Sequence, residues 1–308
     1  WLGEEIVIWC DPQGRICVAG ATCPHLGSSL GPAAGGRIRE GCLVCPLHGR
    51  VYDATGQCVA TPDGPATGDE KLRVYETREI LGMVFAWWGS GGRPSQWQLP
   101  DEPHTGTEWC KVGFRHLRFP GHIVDMAENS VDFGHLSYIH GYDEVTPIGS
   151  LSVSGAYLRT RFDFKRVRTF AGIELMYDVS TVTHVHGLGY SLVEIHEKTI
   201  GLHARYWVLA TPVDSERIHV VLANQVREIR RPRRPIAGLG FLPVKLRHCV
   251  MNQILLTQQK RDVRQDVVIW ARKRYLRQPQ LCRSDGPIGA YRRYCRQFYP
   301  ESGISRAQ

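Results

Sequence analysis

The segment Glu128–His140, ENSVDFGHLSYIH, sets Asp132, His135 and His140 in the order Asp-x-x-His-x-x-x-x-His. Two imidazoles plus one carboxylate from elsewhere form the facial triad of a mononuclear non-haem iron(II) site, with positions left open for oxygen and substrate. Asp132 and His135, three apart, share a helical face. His135 and His140, five apart, are separated by roughly 140° on an ideal helix. Both reach one metal only where the helix bulges or ends between them, and π-type bulges are frequent at functional sites. Taken alone, the segment also reads as an amphipathic helix with two surface histidines.

A second constellation lies upstream, in Cys23-Pro24-His25-Leu26-Gly27 and Cys45-Pro46-Leu47-His48-Gly49. Two loops, each with one Cys and one His, suit a [2Fe–2S] cluster held by two thiolates on one iron and two imidazoles on the other. This is Rieske ligation, which raises the potential above that of all-Cys ferredoxins. A zinc site also uses two Cys and two His, although zinc fingers set a Cys pair ahead of a His pair and here the types alternate. A redox pair from Cys42 and Cys45 leaves both histidines without a role. An electron-carrying cluster and an iron triad in one chain support each other.

With GCLVCPLHG, AENSVDFGHLSYIH, QDVVIWARKRY and DGPIGAYRRYCRQFY on the page, the chain resembles the oxygenase component of Rieske non-haem iron oxygenases. Within that family it is most similar to the sterol branch, the cholesterol 7-desaturases and 3-ketosteroid 9α-hydroxylases. The resemblance runs over nearly the whole chain. The 19 residues between His25 and Cys45 exceed the family spacing and lengthen the turn around Gly31–Gly36. The resemblance implies an α+β fold: a small all-β Rieske domain, then a helix-grip (START-like) catalytic domain with an antiparallel sheet and a long C-terminal helix. It implies a [2Fe–2S] cluster on Cys23, His25, Cys45 and His48, and a mononuclear Fe(II) on His135, His140 and a distant carboxylate. It also implies a sterol or steroid substrate, O2, a homotrimer, and desaturation or hydroxylation as outcomes. One helical turn before His135, the Asp132 carboxylate is expected to accept a hydrogen bond from that ring's non-ligating nitrogen; in the resembled family the matching aspartate also meets a cluster histidine, usually of a neighbouring subunit, which implies that Asp132 passes electrons from His25 or His48.

The elements that must position these residues follow from patterning. Residues 1–98 read as short strands broken by Gly, Pro and Asp, an all-β domain with the cluster loops at hairpin tips. The stretch Gly89–Pro103 makes a linker, and residues 99–308 form the catalytic domain. There YLRTRFDFK, DVSTVTHVH, YSLVEIHE, LHARYWVLA and RIHVVLANQ alternate as an antiparallel sheet with one face inward, followed by a helix over Val244–Leu276. On that helix Val263, Asp266, Val267 and Trp270 fall at i, i+3, i+4 and i+7, a stripe that faces the core. A carboxylate there is costly unless paired or bound to metal, so Asp266 is expected as the third iron ligand. Asp262, among Lys260, Arg261 and Arg264, needs only a solvated ion pair. His184, His186 and Tyr190, with His196, are expected to line or flank the substrate cavity. Glu128 reads as a helix-surface acid.

The 308 residues, 43% of them apolar, suffice for two domains with real cores. The net charge of +8 is uneven: Val226–Phe298 alone holds 18 Lys/Arg against 4 Asp/Glu. RRPRRP at 230–235 invites a nucleic-acid reading, but no nucleic-acid fold signature accompanies it. An acidic redox partner or an anionic membrane surface fits better. No run approaches the ~20 apolar residues that span a bilayer. The chain starts at Trp1 as a fragment would, so the expectation is a cytoplasmic domain, membrane-associated if an anchor precedes it. Beyond Cys23 and Cys45, eight scattered cysteines read as thiols in a reducing compartment. No Gly-rich nucleotide fingerprint is seen, so electrons from NAD(P)H are expected through a separate reductase or ferredoxin. The rival reading is a Rieske electron carrier with an appended binding domain.

Overall fold

Alternating apolar and polar residues over 157–226 bury one face of each strand, and in the computed structural model these segments pair in sequence order. The structure describes residues 1–299 except 67, 102, 104, 105, 171 and 235. Glu102 of the expected linker and Pro235 of RRPRRP thus lie outside the described residues. Two compact units emerge, Trp1–Glu102 and Pro103–Gln308.

The first unit is all β. A three-stranded sheet joins Ile6–Cys10, Ile16–Gly20 and Val74–Tyr75; a five-stranded one runs from Arg37–Arg39 through Cys42–Val44, Val51–Tyr52 and Cys58–Thr61 to Gly64–Pro65. Val7, Trp9, Ala19, Leu30, Leu43 and Tyr52 fill its core together with Cys23 and Cys45. The two thiols are therefore held from behind by packed side chains rather than by flexible loop.

The second unit is built on one antiparallel sheet. Its spatial order is Gly113–Pro120, Arg217–Val226, Leu202–Pro212, Tyr190–Glu197, Ile173–His186, Tyr157–Phe170 and Asp143–Pro147, with Ser152–Ser154 beside Tyr157–Phe170. Two short helices, α1 (Ile123–Ala127) and α2 (Gly134–Tyr138), connect the first strand to the far edge. The long helix α3 spans Val244–Trp270, and α4 spans Ile288–Arg296. The helix expected to reach Leu276 stops at Trp270, whose indole is buried beside Phe119. The chain then turns through Arg272 and Lys273. Phe119, Leu158, Leu222, Leu256, Trp270 and Tyr291 form the core between sheet and helices. Together these layers make the helix-grip arrangement. A helix at α4 is an addition that residue patterning did not separate.

Glu128 corrects a surface expectation. It is 5% exposed and accepts from Lys273 Nζ at 2.7 Å and Arg292 Nε at 2.7 Å. One carboxylate thus ties the segment before α2 to the end of α3 and to α4. Burial resists its charge, but Arg292 and Lys273 outweigh that and hold its pKa below the usual range. A carboxyl depressed in the folded state contributes stability above its unfolded pKa of about 4.3 and loses it as pH falls further. Glu128→Gln should therefore cost about 3 kcal/mol at neutral pH by denaturant titration, because it strands two nearby cations. The difference from the parent should shrink below pH ~4.

Candidate metal centres

In the first unit the two motif loops fold alike. Cys23 N–H donates to Ser28 O at 2.8 Å and Cys45 N–H to Arg50 O at 2.8 Å, while Gly27 and Gly49 return N–H bonds to Cys23 O and Cys45 O. Both glycines sit in the left-handed region, at φ 75° and 66°, where a side chain is disfavoured. Each turn places a Cys inward and a His outward. The thiols are 2% and 1% exposed, whereas His25 and His48 are exposed with ring centroids 5.1 Å apart. Two buried sulfurs under two neighbouring outer imidazoles fit a Rieske cluster's donor set. Behind Cys23 lies a network that motif reading missed. The Tyr52 hydroxyl is 3.2 Å from Cys23 Sγ and donates to Glu70, which in turn pairs with Arg50 at 2.6 Å.

In the second unit the spacing problem between His135 and His140 is solved by ending the helix. Gly141, at φ 64°, donates its N–H to Ser137 O at 3.1 Å, a left-handed helix termination. His140 therefore leaves the helical path and turns back toward His135. His135, His140 and Asp266 each offer a ligand atom, all within 4.8 Å of one another. His140 Nε2 lies 3.3 Å from Asp266 Oδ2, and the rings of His135 and His140 meet at 5.3 Å.

Each imidazole is fixed through its other nitrogen. His140 Nδ1 meets Gln265 Oε1 at 3.1 Å, and His135 Nδ1 meets the Asp132 backbone O at 2.6 Å. This leaves Nε2 of both rings directed inward, the arrangement outer partners impose on metal-bound histidines. The ring's hydrogen bond goes to the Asp132 backbone carbonyl rather than to its carboxylate, which stays within ion-pair reach of the ring. Its Oδ1 accepts the His135 backbone N–H at 3.2 Å and stays 3.8 Å from Nδ1. Burial opposes its charge, yet the bonds from His135 keep its pKa below the usual range. Gln265, next to Asp266 in the sequence, had no signal of its own.

Asp266 is 5% exposed, and its Oδ1 is buried with no hydrogen-bond partner. A bare carboxylate oxygen in a core costs several kcal/mol, and a cation facing two imidazoles removes that cost. The residues thus fit a mononuclear iron by type, number and unmet demand. Asp262, one turn earlier, is satisfied by Arg166 Nη2 at 2.9 Å and Gln258 Nε2 at 2.6 Å, so its ion pair is a half-buried cross-link to the sheet rather than a solvated one.

The Arg166–Asp262 bond also identifies the face of the sheet turned to α3. By register that face includes Phe162, Phe164 and Arg166, opposite Thr181, Val179 and Tyr177, with Ile195 and Tyr206 on the next strands. Tyr142 stacks on Phe164 at 4.3 Å and lies under Arg166. His184, His186 and Tyr190 alternate with this set and fall on the other face. His184 meets Tyr157 and Glu194, and Tyr190 accepts from Trp207. The three residues expected to line or flank the substrate cavity therefore share the face of the sheet turned away from α3. A one-residue step along a strand reverses the face, and the motif THVHG gave no sign of which face was inward. Burial pushes His186 down to about 4, with His184 adding to it.

Fold and centres together define a Rieske non-haem iron oxygenase architecture. The Rieske [2Fe-2S] domain family matches residues 1–76. The 3-ketosteroid 9alpha-hydroxylase C-terminal domain family matches residues 86–299, and the chain belongs to that family. Cholesterol 7-desaturase nvd 1 of Ciona intestinalis is 28% identical over 98% of this chain, which spans 64% of that relative's length. The oxygenase component of 3-ketosteroid-9-alpha-monooxygenase of Rhodococcus rhodochrous is 24% identical over 96% of this chain and 76% of its own. Among solved structures, dicamba monooxygenase bound to 3,6-dichlorosalicylic acid shares the fold at a TM-score of 0.73 and 17% identity, over 98% of this chain and 92% of that one.

Asp266→Ala should lose the mononuclear iron and keep the cluster, by metal analysis together with the visible spectrum. Asp262→Ala should keep both and lose the Arg166 cross-link instead. Equal iron in the parent and Asp266→Ala would move the third ligand elsewhere.

His186 gives a separate expectation. A histidine whose pKa falls from about 6.5 to about 4 on folding binds fewer protons than in the unfolded chain, so stability falls as pH drops through that window. His186→Phe should flatten the melting temperature between pH 6.5 and 4 relative to the parent.

Proposed function

We propose that this chain is the terminal oxygenase of a multicomponent Rieske system that acts on a C–H bond of a sterol or steroid. The observation that carries the reading is the convergence of His135, His140 and Asp266, whose Oδ1 is buried without a partner, in a chain that also has a Rieske domain. When bound, the cluster supplies single electrons and the mononuclear iron supplies oxygen activation. The printed names of the relatives, a cholesterol desaturase and a 3-ketosteroid monooxygenase, support a four-ring substrate class.

The chain's own residues have separable tasks. Cys23 and Cys45 anchor the cluster from the core, and His25 and His48 present its outer side to an electron donor or acceptor. His135, His140 and Asp266 would hold the mononuclear iron, which when bound would supply oxygen activation. Tyr142, Phe162, Phe164 and Ile195 supply apolar and aromatic walls on the α3 side of the sheet, suited to a rigid hydrocarbon. Asp132 stays ionised, and with its ring-orienting role taken by its own backbone carbonyl, its carboxylate is available to a cluster histidine of a neighbouring subunit in a homotrimer. Electrons come from NAD(P)H through a separate reductase or ferredoxin. Desaturation in the cholesterol 7-desaturase manner is the first reading, and hydroxylation in the 3-ketosteroid manner the second, since both begin from the same activated iron.

Three irons per chain are expected, against two for a pure Rieske carrier. Incubation with cholesterol and with a 3-ketosteroid, each with a generic reductase, should convert one of them; conversion of neither in an iron-replete protein would overturn the substrate class. His25→Ala should abolish the Rieske spectrum, whereas His135→Ala should keep it and stop turnover. Asp132→Asn should retain both metals and a reducible cluster, yet lower product formation by about 10- to 100-fold, the loss typical when groups beside metal ligands are removed. Near-normal turnover in that variant would remove Asp132 from the electron path.

A further inference from the structure

Between strand Arg217–Val226 and α3 the chain runs through RRPRRPIAGLGFLPVKLR, residues 230–247, with six Lys/Arg and no acid. The basic run and the apolar tip are folded against each other. Arg231 N–H donates to Ile200 O at 2.9 Å, fixing the run to the neighbouring strand connection. Leu239 is 6% exposed and sits at φ 59°, an unusual conformation for a non-glycine residue, so the anchored leucine turns the chain outward. A Cβ on Gly240 would stand 2.6 Å from Arg233 Cγ, which brings the Arg233 side chain beside the residue preceding Phe241. Arg247 is spent internally: its Nε donates to Leu239 O at 3.2 Å and its Nη2 to Leu242 O at 2.9 Å. The tip is thereby tied to the first turns of α3.

What remains outward is a mixed patch. Arg230, Arg231, Arg233, Arg234 and Lys245 are exposed, around Phe241, Val244 and Leu246 at 70%, 48% and 49% exposure. Cations with bulky apolar side chains and no acid make the composition of segments that lie in a membrane interface, and anionic leaflets attract such basic runs. An acidic protein would satisfy the charges equally. A phenylalanine exposed at the tip of a braced loop favours the lipid, because its ring gains by entering the headgroup and acyl boundary. Beside the patch an open groove of about 620 Å³ begins, lined by Cys249, Val250, Gln253, Ile254, Thr257 and Gln258 of α3. The same helix continues to Asp262 and Asp266.

We propose that residues 230–234 and 239–246 dock this chain on an anionic lipid bilayer, with the α3 groove opening beside the membrane. The value of that placement for taking up a lipid-soluble substrate rests on the steroid reading above; the docking itself does not.

The test is co-sedimentation of the full chain, with both metal centres loaded, with phosphatidylcholine vesicles carrying or lacking phosphatidylserine. Binding is expected only to the serine-containing vesicles, weakening as salt rises. Arg233→Gln with Arg234→Gln should weaken it on the order of 20-fold, at about fivefold per charge. Phe241→Asp should weaken it at least tenfold with three irons per chain retained, since the mononuclear site lies in the same unit as Phe241 and reports on its fold. Absence of binding to anionic vesicles at low salt would overturn the proposal. Parental binding by Phe241→Asp would also overturn it, leaving charge attraction of the kind an acidic protein partner uses. Dissociation of an oligomer by Phe241→Asp, with vesicle binding retained, would assign the face to a second copy instead. The assay contains no sterol and no turnover, so its failure leaves the oxygenase reading standing, and failed steroid conversion with vesicle binding retained counts against that reading alone.

Discussion

A carboxylate with one oxygen buried and unpartnered is costly in a protein core, a cost that a cation beside it removes, and Asp266 is in that position. Much of the second unit can be understood as the means of bringing a cation's other ligands to it. The chain after α1 must come close to α3, and Glu128 holds it there through Lys273 and Arg292. The helix carrying His135 must end within one turn, and Gly141 ends it. Each imidazole must expose the right nitrogen, and Gln265 and the Asp132 carbonyl occupy the other. Asp262, close by on the same helix, does the opposite job. It is neutralised by Arg166 and fastens α3 to the sheet.

The two centres use burial in different ways. In the first unit the thiols of Cys23 and Cys45 are buried and the imidazoles of His25 and His48 exposed. In the second unit all three candidate ligands are partly or fully enclosed, with side-chain exposures of 9% for His135, 5% for His140 and 6% for Asp266. Enclosure of this kind would strengthen electrostatic interactions with a metal held there.

Much of this was legible in the residue types. Both histidines and Asp266 could be picked by spacing and by the cost of a carboxylate on a core stripe, and the cluster loops by their alternating Cys and His. The strands were legible because alternation marks a half-buried sheet. Three features were not, each for a physical reason. Which face of a strand is inward depends on what packs against it, so His184 and His186 could be seen to share a face without the face being known. Glu128 looked like a surface acid because its partners, Lys273 and Arg292, lie over 140 residues away. The backbone carbonyl that orients His135 has no sequence signature, since every residue carries one; the Asp132 side chain drew attention to the right residue for the wrong atom.

The claim on which the account depends is that His135, His140 and Asp266 hold one iron, separate from the cluster and open to a small ligand. Electron paramagnetic resonance of the anaerobic ferrous protein with nitric oxide tests this directly. The account predicts a high-spin ferrous nitrosyl signal integrating to about one iron per chain, as an open two-histidine, one-carboxylate site requires. That signal should be absent in Asp266→Ala and altered by a bound steroid. A protein with a fully formed Rieske signal and no nitrosyl signal would contradict it.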